Sequence, residues 1–245
     1  MKVGFFSAKQ YDIDHFDRIN QTFGLQIEYF DYRLCLRNVR LANGFDVICA
    51  FVNDSLSEEV LIKLSENGTK VIAMRCAGSN NVDLKAAKKL KLKVVNVPSY
   101  SPESVAEHTV ALMLTLNRKI HKAYQRTRDA NFSLTGLVGF NMQNRNVGVI
   151  GTGRIGLATI KVLLGFGCHV FAHDPYPNQA VLDLGVEYVP LEEIYAKCDI
   201  ISLHCPLTSE NYHLLNRESF SRMKPGVMVI NTSRGGLLNA LDAIE

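Results

Sequence analysis

Short apolar runs alternate with amphipathic segments along most of the chain. In its first part the runs "KVGFF" (2–6), "LQIEYF" (25–30), "DVICAF" (46–51), "KVIAM" (70–74) and "LKVVNV" (92–97) predict strands. Between them lie helical stretches such as "SEEVLIKLSENG", which starts at a serine cap and stops at Gly68. Strand and helix in alternation imply a parallel sheet with helices on its faces.

The pattern then changes. "VPSYSPESVAEHTVALMLTLNRKIHKAYQRTRDANF" opens on two prolines and carries no strand. Ser101 suits an N-cap, Pro102 the first helical position and Glu103 the positive helix end. Val105, Thr109, Leu112 and Leu116 fall on one face, so this stretch predicts one long connector helix. A second alternation starts at Val147, with strands expected at 147–150, 169–172, 186–189, 199–203 and 227–231. The expected organisation is two α/β units, 1–98 and 99–245, the second including the connector. No sequence repeat links the two, and no segment is low in complexity.

The second unit opens on "NVGVIGTGRIGLATIKVLLGFGCHVFAHDPY". Gly151, Gly153 and Gly156 form G-x-G-x-x-G directly after a predicted strand, and a helix is expected from about Arg154. The first glycine permits a tight turn, the second lets the backbone approach a pyrophosphate, and the third lets helix and strand pack closely. The phosphates would sit on the free N–H groups of the helix start. "HVFAHD" supplies the next strand and ends in Asp174, at the spacing expected of a ribose-binding acid. A carboxylate there accepts from a ribose diol and repels a 2′-phosphate, which favours NAD over NADP. Arg154 is the loop residue that would soften this repulsion.

In such sheets ligands sit at the carboxyl ends of the strands. "HCPLTSEN" follows the strand at 199–203, and "TSRGGL" follows the strand at 227–231. Arg234 thus lies on the same edge as the glycine loop, where its planar fork suits a carboxylate or keto acid. His204, at the end of an apolar run, reads first as a structural histidine. His108, His121, His169, His173 and His213 have no partner carboxylate that the sequence can place. In the first unit "RCAGSNNVDL" follows a strand, and the backbone N–H groups of Ala77 and Gly78 would make an anion cradle there. Tyr100, just before the connector, reads either as interdomain packing or as a substrate contact.

Composition narrows the partners. Hydrophobic residues make up 47% and charged residues 21%, ordinary for a globular protein, and the length suffices for a core. The net charge of +3 is scattered, so no clustered basic face for nucleic acid is expected. The densest basic run, "AAKKLKLK", reads as a solvated face. Six cysteines without a C-x-x-C pair read as reduced thiols of a cytoplasmic-type compartment. "MKVGFFSAKQ" is too short in apolar residues for a signal peptide, and no apolar run reaches membrane-span length, so no membrane partner is expected. No metal-ligand spacing and no G-x-S-x-G elbow occur.

Taken together, "RCAGSNNVDL", "SPESVAEHTVALMLTLNR", "VIGTGRIG", "HDPYP", "ISLHCPLT" and "VINTSRGGLL" resemble the D-isomer-specific 2-hydroxyacid dehydrogenases. "HKAYQRTRDANFSLTGL" and "LTSENYHLLN" are similar to the D-lactate branch of that family in bacteria. The resemblance runs through the whole chain in unbroken order. It implies NAD-dependent interconversion of pyruvate and D-lactate, a flavodoxin-like substrate domain, a Rossmann NAD-binding domain, and a homo-oligomer. Arg154 and Ile155 would touch the pyrophosphate and Asp174 the adenosine ribose. Cys205, Pro206, Asn211, Thr232 and Ser233 would line the cofactor. Arg234 would bind and polarise the substrate, the backbone of Ala77 and Gly78 would hold its carboxylate, and Tyr100 would lie close by.

One departure is large. The resemblance implies a histidine acid/base oriented by a glutamate, both beyond the arginine in sequence. Only "GGLLNALDAIE" follows Arg234, and Glu245 is too near to serve. The expectation is therefore a chain that stops before that pair, with both domains incomplete. Three other readings stay open: a D-2-hydroxyacid dehydrogenase acting on hydroxypyruvate or a branched 2-keto acid, a non-enzymatic NAD-sensing protein, and a gene fragment without function.

Overall fold

A computed structural model describes residues 1–245, which form two compact units, Met1–Tyr100 and Ser101–Glu245. The first contains β1 (Lys2–Phe5), α1 (Gln10–Phe23), β2 (Gln26–Tyr29), β3 (Val47–Ala50), α2 (Glu58–Glu66), β4 (Val71–Met74), α3 (Leu84–Lys89) and β5 (Lys93–Val95). Its sheet is all parallel in the order β2-β1-β3-β4-β5. This is the flavodoxin-like doubly wound order. The central strand β3 is buried at all four residues, as its unbroken apolar run requires of a strand covered on both faces. Strand alternation splits the core: Ile48, Ala50, Ile72 and Met74 join one cluster, and Val3, Phe5, Val47 and Cys49 the other. Ser57 occupies the N-cap of α2 without a side-chain cap bond, and Gly68 follows the helix end at φ +90°.

The second unit begins with α4 (Pro102–Arg118) and α5 (Ile120–Arg128). There follow β6 (Asn146–Ile150), α6 (Arg154–Gly165), β7 (His169–His173), α7 (Gln179–Leu182), β8 (Glu187–Tyr188), α8 (Leu191–Lys197), β9 (Ile200–Leu203), α9 (Arg217–Ser221), β10 (Met228–Asn231) and α10 (Ala240–Ile244). Its sheet is parallel in the order β10-β9-β6-β7-β8. That is the first five strands of the Rossmann order, with β10 at the edge. Val147, Val149, Val170, Ala172 and Ile200 face one cluster, Ile150, Ile201 and Leu203 the other.

The connector differs from expectation in two ways. It is two helices, broken at Lys119 in the left-handed conformation (φ +51°). The break has a tertiary cause. Asn117, buried, donates to the Phe140 carbonyl at 2.9 Å and accepts from its amide at 2.8 Å. Gly139 packs so close that a Cβ there would lie 2.5 Å from the Asn117 carbonyl oxygen. The buried face is also rotated: Ala106, Thr109, Val110, Met113 and Asn117 are buried, whereas Leu116 is 48% exposed. Ser101 and Pro102 begin the helix as the sequence predicts, the serine hydroxyl accepting from the Ser104 amide at 3.1 Å.

Among the six free cysteines Cys49, Cys168 and Cys198 are buried, and Cys35, Cys76 and Cys205 are half-buried. No helix is long and apolar enough to cross a membrane.

Candidate cofactor and substrate site

In the second unit β7 extends the sheet to one side of β6 and β9 to the other, which opens a crevice at the carboxyl end of β6. The glycine loop fills that point. Gly151 turns at φ +96°, and a Cβ on it would lie 2.5 Å from the Cys205 amide nitrogen. A Cβ on Gly156 would lie 2.0 Å from the Gly151 carbonyl oxygen. Around Gly153 nothing lies within 4 Å of the same position. Two glycines are therefore demanded by the protein's own packing, and the middle one faces open space. The first N–H groups of α6, starting at Arg154, Ile155 and Gly156, have no intrahelical acceptor. An unobstructed glycine before free helix amides fits a dinucleotide pyrophosphate.

Asp174 follows β7. Its Oδ2 accepts from the Thr152 amide at 2.7 Å and the Thr152 hydroxyl at 3.0 Å, and its Oδ1 from the Tyr176 amide at 2.9 Å. Burial raises the carboxyl pKa, but these three bonds outweigh it and hold the group below the usual carboxylate value. Arg154, expected near this charge, lines a groove of about 450 Å³ between α4 and α6 with Glu103 and Glu107.

The ends of β9 and β10 complete this edge. Cys205 is half-buried, and burial pushes its thiol pKa up. Pro206 is exposed. The Asn211 side chain ties its own loop, accepting from the Thr208 amide at 2.7 Å and donating to the Pro206 carbonyl at 2.7 Å. The Thr232 hydroxyl meets that of Thr109 at 2.9 Å, and Ser233 donates to the Leu203 carbonyl at 3.0 Å. Arg234 is exposed, with one guanidinium N–H on the Ser233 carbonyl at 2.9 Å. His204 packs behind the glycine loop with its Nε2 at 2.8 Å from the Ser202 hydroxyl and a buried Nδ1 without a partner. Burial lowers its pKa to about 4, so the ring is neutral at pH 7.

The loop after β4 belongs to the first unit. The carbonyls of Cys76, Ala77 and Gly78 are taken by the Val97 amide, the Asn96 side chain and the Cys76 thiol. The amides of Ala77 and Gly78 have no protein acceptor, which suits an anion. Tyr100 is 68% exposed.

Residues 110–245 match the model of the D-isomer specific 2-hydroxyacid dehydrogenase NAD binding domain. The chain belongs to the D-isomer-specific 2-hydroxyacid dehydrogenases. It is 56% identical to a D-lactate dehydrogenase of Escherichia coli over 245 residues, which span all of this chain and 74% of that relative. The structure of an apo D-lactate dehydrogenase from Escherichia coli superimposes with a TM-score of 0.93 at 56% identity, covering 100% of this chain and 77% of that one. A D-lactate dehydrogenase of Aquifex aeolicus, solved with NAD and lactic acid, gives 0.87 at 34% identity over 98% of this chain and 72% of that one. As a member of this dehydrogenase family the protein is an NAD-dependent oxidoreductase, and the glycine loop fits that cofactor.

Sequence reasoning missed the side chains that hold these loops in place. Arg75 is sandwiched between the Phe5 and Phe51 rings, 4.4 and 4.7 Å from their centroids, and donates to the Phe6 and Ser7 carbonyls at 2.8 and 2.7 Å. Buried Asp54 accepts from the Ser7 hydroxyl and the Leu34 and Phe51 amides at 2.8, 2.7 and 2.5 Å. In the second unit Thr152, Tyr188 and Asn178 gather around Asp174. Thr152 stands inside the glycine motif, between Gly151 and Gly153, and that position is its sequence signal. Tyr188 carried no local signal, since its role depends on strand neighbours.

Proposed function

We propose that this dehydrogenase acts on pyruvate and D-lactate. The observation that carries the reading is 56% identity to a D-lactate dehydrogenase along the whole chain. Residues 1–98 serve as part of the substrate-binding domain and 99–245 as the NAD-binding domain. Bound NADH supplies the hydride. The pyrophosphate rests on the loop of Gly151, Gly153, Arg154, Ile155 and Gly156, and Asp174 takes the adenosine ribose. Cys205, Pro206, Thr232 and Ser233 line the cofactor, and Asn211 shapes the loop of the first two. Arg234 binds the substrate and polarises its ketone with a fork that lysine cannot reproduce. The amides of Ala77 and Gly78 hold a carboxylate, with Tyr100 close by.

The alkoxide left by hydride transfer needs a proton, and a positioned acid contributes roughly 10²–10⁴-fold. His204, neutral, with a pKa of about 4 and its Nε2 on Ser202, is a poor donor at pH 7.

The test is a binding panel with parallel turnover assays. NADH should bind, and the NADH-loaded protein should take oxamate, an unreactive analogue of pyruvate, in preference to a branched 2-keto acid. In the turnover assay His204→Ala should leave pyruvate-dependent NADH oxidation unchanged, because His204 is not the proton donor. Tighter binding of the branched acid would overturn the pyruvate assignment. Loss of turnover in His204→Ala with NADH binding intact would show that His204 serves as the acid after all.

A further inference from the structure

Around Asp174 the hydrogen bonds form a chain of fixed direction. The Asn178 amide donates to the Tyr188 hydroxyl at 2.8 Å. That hydroxyl donates to the Thr152 hydroxyl at 2.9 Å, which donates to Asp174 Oδ2 at 3.0 Å. An amide N–H can only donate and a carboxylate can only accept, so the two ends set the polarity. Each hydroxyl between them has a single proton, and each proton is committed toward the carboxylate. Thr152 is itself buried, and the Asn178 side-chain amide donates to its carbonyl at 2.8 Å. Three elements are thus tied to one oxygen: the glycine loop, the segment after β7, and β8.

A carboxylate offers about four lone-pair positions. Thr152 fills two on Oδ2 through its amide and hydroxyl, and the Tyr176 amide fills one on Oδ1. One position on Oδ1 remains, enough for one hydroxyl donor. The group can neither swing aside nor shed its charge cheaply, because either move breaks bonds that the relay supplies.

We infer that Tyr188 and Thr152 are positioning residues that set the choice between NAD and NADP by locking the Asp174 carboxylate in place. The inference rests on the reading of Asp174 as the ribose acceptor. A mobile carboxylate beside a 2′-phosphate can rotate or draw in a counterion, whereas a locked one presents its charge at a fixed point. The relay therefore acts more strongly on the phosphorylated cofactor than on the plain one.

The experiment measures NADH and NADPH affinities of the 245-residue chain by fluorescence titration, with melting temperatures alongside. The variants are Thr152→Val, Thr152→Ser, Tyr188→Phe and, as the reference, Asp174→Ser. Thr152→Val removes the hydroxyl at constant shape and should move the NADH-over-NADPH preference about tenfold toward NADPH, the factor carried by one hydrogen bond to a charged group. Tyr188→Phe should move it in the same direction by less, and Thr152→Ser should restore the wild-type ratio. A purely structural role would weaken both cofactors equally and leave the ratio alone. If Asp174→Ser shifts the ratio but Thr152→Val and Tyr188→Phe do not, the relay inference is wrong and the ribose reading stands. If Asp174→Ser leaves the ratio where it was, the ribose reading fails and takes the inference with it.

Discussion

The three glycines of the loop should respond to alanine in different ways, and the contrast tests why each is glycine. At Gly156 a Cβ would lie 2.0 Å from a backbone oxygen, where real Cβ atoms essentially never come within 3.0 Å. The strand–helix junction must open by about 1 Å, and backbone cannot rotate away as a side chain can. Overpacking in a core costs ~1–3 kcal/mol, and this overlap belongs at or above the upper end. Gly156→Ala should therefore lower the melting temperature and weaken NADH together. Gly153 sits at φ −63°, ψ −166°, a backbone open to any residue, with nothing within 4 Å. Alanine there gains about 0.4–1 kcal/mol by restricting the unfolded chain and loses a similar amount at an N-cap position, where glycine outranks it. The melting temperature of Gly153→Ala should barely move. Its methyl group, though, stands where the pyrophosphate approaches, and each displaced hydrogen bond to a charged group is worth ~1.5–3 kcal/mol. Losing one predicts an NADH Kd at least about tenfold weaker. Thermal melts and fluorescence titrations of both variants decide the matter. Unchanged NADH affinity in Gly153→Ala would refute the placement of the phosphates, and an unchanged melting temperature in Gly156→Ala would refute the packing argument.

Two further outcomes follow from other parts of the second unit. Phe132, Leu134 and Val138 are 77%, 79% and 80% exposed, on a loop whose backbone is tied down by Arg126 bonds to the Ser133 and Thr135 carbonyls and a Lys119 bond to that of Val138. Exposed apolar side chains on a backbone held in this way suit a second copy of the chain, so sedimentation should show a homo-oligomer that Phe132→Ser with Leu134→Ser dissociates; a wild-type monomer at every concentration would rule this out. Burial raises the Asp174 and Asp199 pKa values, but hydrogen bonds outweigh it and hold both down, those on Asp199 coming from Lys224 at 2.9 Å and the Asn146 amide at 3.0 Å. A depressed carboxylate adds stability above its unfolded pKa, about 3.9, and that stability is lost as pH falls through the folded value. Melting temperature should decline below about pH 4, and Asp199→Asn should flatten that acid limb while costing under ~1 kcal/mol at pH 7, since Lys224 is partly solvated; an acid limb as steep as wild type would remove Asp199 from the account.

The sequence alone determined what depends on near neighbours. Every predicted strand appears within a residue or two; the central ones were plainest, because a strand covered on both faces must be an unbroken apolar run such as "DVICAF". The glycine loop was legible because backbone approach and left-handed turns leave glycine as the fitting residue. The serine–proline start of α4 was equally local. Tertiary structure decided the rest. Nothing between Arg118 and Ile120 signals a helix stop, since the break comes from the 138–140 segment packing on Asn117. Leu116 looked like core on periodicity, but the helix is rolled so that Asn117, bonded to Phe140, takes the buried position instead. The relay from Asn178 through Tyr188 and Thr152 to Asp174 joins residues up to 36 positions apart. A hydroxyl's partner is fixed only when β8 has paired beside β7, so no reading of local pattern could supply it.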